Sequence, residues 1–105
     1  MKAVQIILSP EAEKVYLESK DQTILNAVNR KIKLIKLNFH YGVPITKRLF
    51  PREYILRYGI TNLFRVELPN FWRMLYTLTD GDNKITAFIL DIIDHNTYNK
   101  KFGYK

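Results

Sequence analysis

NLFRVELPNFWRMLYTLTDGDNKITAFILDIIDHNTYNKKFGY, residues 62–104, reads as three strands followed by a short basic, aromatic tail. In the first run, residues 63–68, Phe64, Val66 and Leu68 fall on one face and Arg65 and Glu67 on the other. Pro69 and Asn70 signal a turn. The second run, residues 71–79, is aromatic and apolar, with Arg73 as its one charge. Asp80, Gly81, Asp82 and Asn83 signal a second turn, dense in residues that accept positive φ. The third run, residues 85–93, is apolar on both faces, the pattern of a central strand covered on two sides. Asp94, His95 and Asn96 then break the pattern, and Tyr98, Lys100, Lys101, Phe102 and Tyr104 form the tail.

Turn chemistry fixes the direction of Arg73. Proline cannot adopt positive φ, so Pro69-Asn70 cannot be a two-residue type I′ loop. A three-residue loop puts Arg73 on the same face as Arg65 and Glu67, while Trp72, Met74 and Tyr76 join Phe64 and Val66 in the core. The opposite parity would bury Arg73 without a partner, which is costly. The expected result is one polar sheet face bearing Arg65, Glu67 and Arg73, with His95 at the far end of the last strand.

Upstream, residues 3–8 read as a strand. Ser9, Pro10 and Glu11 give a helix N-cap, a first-turn proline and a first-turn acid, so a helix is predicted over about residues 10–20. Asp21 or Thr23 caps a second helix, in which Ile24, Leu25, Val28, Ile32, Ile35 and Phe39 recur at helical spacing. Its other face carries Arg30, Lys31, Lys33 and Lys36, which suits either a solvated surface or a contact with an anionic partner. Residues 45–59 show no clean period and read as loop with a short turn or strand. The chain is therefore one domain, residues 1–105, of α+β class: an antiparallel sheet of about four strands packed by an N-terminal helical hairpin.

Composition narrows the chemistry. The 105 residues carry 17 basic against 10 acidic side chains, a net charge of +7. The excess concentrates in residues 40–73, where Lys47, Arg48, Arg52, Arg57, Arg65 and Arg73 face only Glu53 and Glu67. Phe50, Tyr54, Tyr58, Phe64 and Trp72 interleave with them, a composition suited to a polyanion with stackable bases. The absence of cysteine excludes disulfides, thiol chemistry and thiolate zinc sites. No apolar run approaches the roughly 18–20 residues of a membrane span, and no signal-peptide pattern is present, so a soluble cytoplasmic protein is expected. There is no glycine-rich phosphate loop and no histidine pair at metal-ligand spacing, so neither metal nor cofactor is expected. Neither serine has a base beside it. Asp91 and Asp94, read as three apart on one strand, fall on opposite faces and make no acid–base pair.

What remains is cationic groups and a few proton carriers. His95 is either a surface histidine at a strand end or a general acid or base, since imidazole ordinarily titrates near neutrality. Arg73 either pairs with Glu67 or presents its guanidinium to a phosphate. Tyr98 and Tyr104 either pack, stack a base or donate a proton.

With these residues in place, the whole chain resembles the RelE/ParE toxin superfamily of toxin–antitoxin systems. SPEAEKVYLE, residues 9–18, resembles that family's strand-to-helix entry. FRVELPNFWRMLYTL, residues 64–78, resembles its pair of strands, and ILDIIDHNTY, residues 89–98, its last strand and strand end. The resemblance implies an antiparallel sheet packed by two helices, and an antitoxin that wraps the toxin. It implies one of two activities: RelE-like members cut mRNA in the ribosomal A site, and ParE-like members act on gyrase. By position it sets Arg65 at a basic residue of the first meander strand, Arg73 at the arginine of the second, His95 at the histidine or lysine after the last strand and Tyr98 near the tail tyrosine. In the mechanism expected from this, Arg65 and Arg73 hold the phosphate, His95 is the acid or base, and Tyr98 or Glu67 is its complement. Lys47, Arg48, Arg52, Lys100 and Lys101 become RNA-binding residues. The leading expectation is a metal-independent endoribonuclease acting on mRNA at the ribosome. The alternatives are a gyrase-binding toxin and a catalytically degenerate module that binds nucleic acid or antitoxin. This chain departs from the family pattern at Glu67, where RelE-like enzymes carry a second basic residue, and at Asn96, where many members carry arginine. Tyr98 also stands closer to His95 than the family's tail tyrosine.

Overall fold

A computed structural model describes residues 2–103. Strand β1 (Ala3–Leu8) ends at Ser9, whose hydroxyl accepts from the Ala12 amide at 3.0 Å and donates to the Leu90 carbonyl at 2.7 Å. One side chain thus caps α1 (Pro10–Glu18) and pins it to the sheet. Asp21 caps α2 (Gln22–Leu37) by accepting from the Thr23 and Ile24 amides. Ile24, Ala27, Val28 and Ile35 form the buried stripe of α2, so the helical hairpin lies on the sheet as its periodicity predicts.

Two short elements follow, β2 (Val43–Pro44) and a 3-10 turn (Lys47–Leu49). Residues 52–58 are then helical rather than loop: α3 (Arg52–Tyr58) starts just after Pro51 and closes at Gly59 with φ 58°. Pro51, which interrupts the pattern as a sequence signal, marks the helix entry, where its missing N–H costs nothing. The meander consists of β3 (Phe64–Glu67), β4 (Arg73–Asp80) and β5 (Lys84–Ile93). The polar tail is also helical. Asp94 accepts from the Thr97 amide at 2.8 Å and caps α4 (His95–Phe102), which Gly103 ends at φ 73°. Asp94 is therefore a helix cap beyond the strand and not a strand residue.

The sheet has five strands in the order β1-β5-β4-β3-β2. Four expected antiparallel strands become a mixed sheet, because β1 pairs with β5 in parallel and β2 adds a short edge. No hairpin dictates the direction of β1, since every element except α4 intervenes between it and β5. The loop over residues 69–71 has the expected three residues: Leu68 donates to the Trp72 carbonyl and Glu67 pairs with Arg73. The predicted parity holds, with Met74 and Tyr76 joining Phe64 and Val66 in the core beneath the hairpin.

The opposite face carries a second core, in which Tyr54 of α3 and Tyr98 and Phe102 of α4 pack on Leu75 and Leu90. A β-bulge between these two cores redirects β5. Leu75 pairs with Asp91 but Tyr76 pairs with Ile89, leaving Leu90 as the extra residue. The bulge carries Asp91 away from the hairpin core to the side of α3 and α4. The aromatics that interleave the basic segment prove structural. Tyr54 and Phe64 are buried, Phe50 and Tyr58 are partly buried against the second core, and Trp72 is partly buried against the first. Arg57 likewise pairs with Glu11 at 2.9 Å, and this bond holds the Glu11 carboxyl below its usual range. Among the described residues no helix is long and apolar enough to cross a membrane.

The approach of β2 to the core depends on Gly42. A Cβ there would meet Tyr76 Cε1 at 2.9 Å, Phe64 Cβ at 3.0 Å and the Arg65 carbonyl at 3.1 Å. The Gly42 amide also donates to the Tyr76 hydroxyl at 2.9 Å. Gly42→Ala is expected to cost about 1–3 kcal/mol through overpacking, read as a lower urea midpoint at unchanged slope.

Candidate functional site

At one end of the second face, β3, β4 and α4 bring together Arg65, Glu67, Arg73 and Tyr98. The alternation of β3 and the three-residue loop put the two arginines on either side of one carboxylate. Arg65 Nε lies 2.9 Å from Glu67 Oε1, and Arg73 Nε lies 3.1 Å from Oε2. Both are charge contacts without the alignment of a hydrogen bond. Arg65 Nη1 bonds the Tyr98 hydroxyl at 3.1 Å, and the Arg73 guanidinium sits 5.0 Å from the centre of the Tyr98 ring. Tyr98 is itself buried and stacked on Phe102. The phenol that the resemblance placed near His95 is thus the floor on which both arginines rest.

His95 opens α4 and is exposed. Its Nε2 lies 3.1 Å from Asn99 Nδ2, and its ring centre is 5.8 Å from that of Phe71. Phe71 joins the histidine to the arginine pair, because its carbonyl accepts from Arg73 Nη1. Phe71 has φ 63°, unusual for a bulky residue, and its ring is 71% exposed. Asn70 precedes it at φ 58°, so two consecutive left-handed residues build the loop tip. Phe71 is absent from the sequence reading as a site residue. The available signal was the loop itself, since a three-residue hairpin without glycine forces ordinary residues into left-handed backbone.

The basic residues divide. Lys47 and Arg48 lie exposed on the 3-10 turn, Arg52 at the first turn of α3 and Lys100 on the outer side of α4. Lys101 is instead engaged: it pairs with Glu53 and lies 3.5 Å from Asp91. Asp91, buried at the bulge, accepts from the Tyr54 hydroxyl at 2.5 Å. Burial pushes the Asp91 carboxyl above its usual range, against the Tyr54 bond and the Lys101 charge. Burial and the neighbouring Asp91 carboxylate hold the Tyr54 phenol far above its own range, so it remains a donor. This buried network ties α4 to α3 and β5, and α4 carries His95 and Tyr98. Asp94 also fixes the start of that helix, and the Thr97 amide bond holds its carboxyl below the usual range. Tyr104 lies outside the described residues. Among the described residues no group of three His, Cys, Asp or Glu gathers as a metal site would.

The sequence matches no family model and no curated protein. Among solved structures, the chain is similar to a YoeB/ParE toxin from Agrobacterium tumefaciens. The TM-score is 0.64 at 10% sequence identity, covering 87% of this chain and 98% of that one. At that identity the likeness is one of fold: this chain has the fold of the RelE/ParE-like toxins.

Proposed function

We propose that this chain is the cytoplasmic toxin of a type II toxin–antitoxin system, which cleaves mRNA on the ribosome without a metal ion and is held in check by a cognate antitoxin. The observation that carries this reading is the convergence of Arg65 and Arg73 on one anionic group at the open end of the sheet. Two guanidinium groups fixed on strands suit the charge of a phosphorane. In the reaction, the ribose 2′-oxygen attacks the adjacent phosphorus and the bond from phosphorus to the 5′-oxygen breaks. A base takes the 2′-hydroxyl proton and an acid protonates the departing 5′-oxygen. The products are a 2′,3′-cyclic phosphate and a 5′-hydroxyl. His95 carries one of these transfers. Tyr98 is its complement, since Glu67 is engaged by both arginines. Phe71 offers an exposed ring beside His95 for a base to stack on. Lys47, Arg48, Arg52 and Lys100 take the RNA backbone or ribosomal RNA, and Lys101 supports them from its ion pairs.

The test is induction in a translating extract, with 5′ ends mapped on a reporter mRNA. New cuts that require ribosomes are expected, and His95→Ala with an unchanged thermal transition should lose them. Cutting undiminished in His95→Ala would remove this residue from the site. A second reading has its own support: the contacts of His95 are with Asn99 and Phe71 and not with the arginines. A toxin that works by binding a protein such as gyrase needs no proton carrier. Growth arrest with damaged DNA and continuing translation would establish that alternative.

A further inference from the structure

We infer that Glu67 is a built-in counter-ion that occupies the phosphate seat between Arg65 and Arg73 and swings aside when an RNA phosphodiester enters. This inference rests on the phosphate-binding role proposed above for the arginine pair. A carboxylate bridging two guanidinium groups, with one oxygen on each Nε, presents the same pair of anionic oxygens that a phosphodiester would present.

The three side chains differ in freedom. Arg73 is 14% exposed and is held by the Phe71 carbonyl and the Tyr98 ring. Arg65 is 30% exposed and is held by the Tyr98 hydroxyl. Glu67 is 56% exposed and is held by its ion pairs with the two arginines. The cations are therefore pre-positioned from below, and the anion is the part able to leave.

Room for that movement is present. Glu67 and Arg65 line a cleft of about 230 Å³ that also contains Lys31, Tyr41 and Gly42. Lys31 offers the displaced carboxylate a second cation, and the Tyr41 hydroxyl already accepts from it at 3.0 Å. Partly exposed ion pairs of this kind are weak, so displacement is a modest toll and not a block. With Glu67 in place the pair presents one net positive charge, and without it two. The seat is thereby tuned against weak anions, while a polyanion that gains other contacts at Lys47, Arg48 and Arg52 displaces the carboxylate.

The experiment is a titration of a 2′-O-methyl single-stranded RNA, which lacks the attacking hydroxyl, followed by fluorescence anisotropy at several KCl concentrations. The proteins compared are wild type, Glu67→Gln, Arg73→Ala and the double variant, each with a matched thermal transition. Glu67→Gln is expected to bind about three- to tenfold more tightly at low salt. Its log K against log salt should steepen by about 0.7, the increment for one more neutralised phosphate on a single strand. The double variant should lose the gain. Glu67→Gln binding no tighter than wild type, with Arg73→Ala weakened, would overturn the counter-ion role and leave the phosphate site standing. Arg73→Ala binding as well as wild type would overturn the phosphate site, and the counter-ion role with it. An affinity gain of Glu67→Gln for an acidic peptide but not for the RNA would overturn the assignment to a phosphodiester.

Discussion

Arg73→Ala is expected to reduce ribosome-dependent mRNA cleavage by about 10²- to 10³-fold, the usual effect of removing one pre-positioned group from a developing oxyanion. Several features make this the most sensitive position. Arg73 stands on a central strand and not on a loop, so its Cα does not adapt. Its guanidinium is fixed on three sides, by the Phe71 carbonyl, the Glu67 carboxylate and the Tyr98 ring. Its side chain is also less exposed than that of Arg65. Arg73→Lys should recover little, because an ammonium cannot keep the planar contact with Tyr98 while reaching Glu67 and the phosphate together. The variant should still fold, since Glu67 retains Arg65 and no buried charge is stranded. Primer extension on the reporter mRNA measures the effect. Cleavage by Arg73→Ala at the wild-type level would move the phosphate site elsewhere on the chain.

The second large effect is on stability, and it depends on pH. Lys101→Met should lower stability by about 3 kcal/mol near neutrality, at the lower end of what stranding one member of a buried ion pair costs. The stranded group is Asp91, to which the Tyr54 hydroxyl still donates. Glu53 also loses its partner, but it is half in solvent and contributes less. The sign follows from the direction of the Asp91 shift. Burial raises its carboxyl above the unfolded value, so Asp91 contributes most to folding when protonated, and that contribution is lost as pH rises through its folded pKa. Lys101 opposes this rise, and its removal pushes the carboxyl further up. The gap between wild type and Lys101→Met should therefore shrink as pH falls below the ordinary carboxylate range, where the carboxyl becomes protonated, and widen toward neutrality. Urea unfolding at a series of pH values reads this directly. A gap independent of pH would show that Asp91 is not the group that responds. Because α4 carries His95 and Tyr98, the same variant should also loosen the floor under the arginine pair.

Residues whose surroundings are local were legible in the sequence. Ser9 announced the start of α1, and Asp21 or Thr23 that of α2, where the structure selects Asp21, because a cap needs only its own first turn. Pro69 excluded a two-residue loop, and the resulting parity set Arg65, Glu67 and Arg73 on one face. That single deduction carries most of the candidate site. The ion pairing of Arg73 with Glu67 and its availability to a phosphate, two alternatives in the sequence, become successive states of one seat under the counter-ion inference.

Residues whose role depends on distant partners were not legible. The helix α4 has too few apolar residues for a clear period; Tyr98 and Phe102, four apart, matter only because Tyr54 on α3 and Leu90 on the sheet receive them. The direction of β1 was open because no tight turn joins it to β5. Phe71 could not be seen as an exposed, left-handed loop tip, since an aromatic beside Trp72 reads equally as core. Asp91 is the clearest case. Strict alternation along β5 would have set it against the hairpin core, and only the bulge at Leu90 turns it toward Tyr54 and Lys101. The sequence by itself determined the four longer strands, the two capped helices and the common face of the arginine pair, because covalent geometry and nearest neighbours fix those. Tertiary structure decided the parallel edge strand, the fourth helix and the buried network beneath the site, because each is stabilised by groups tens of residues away along the chain.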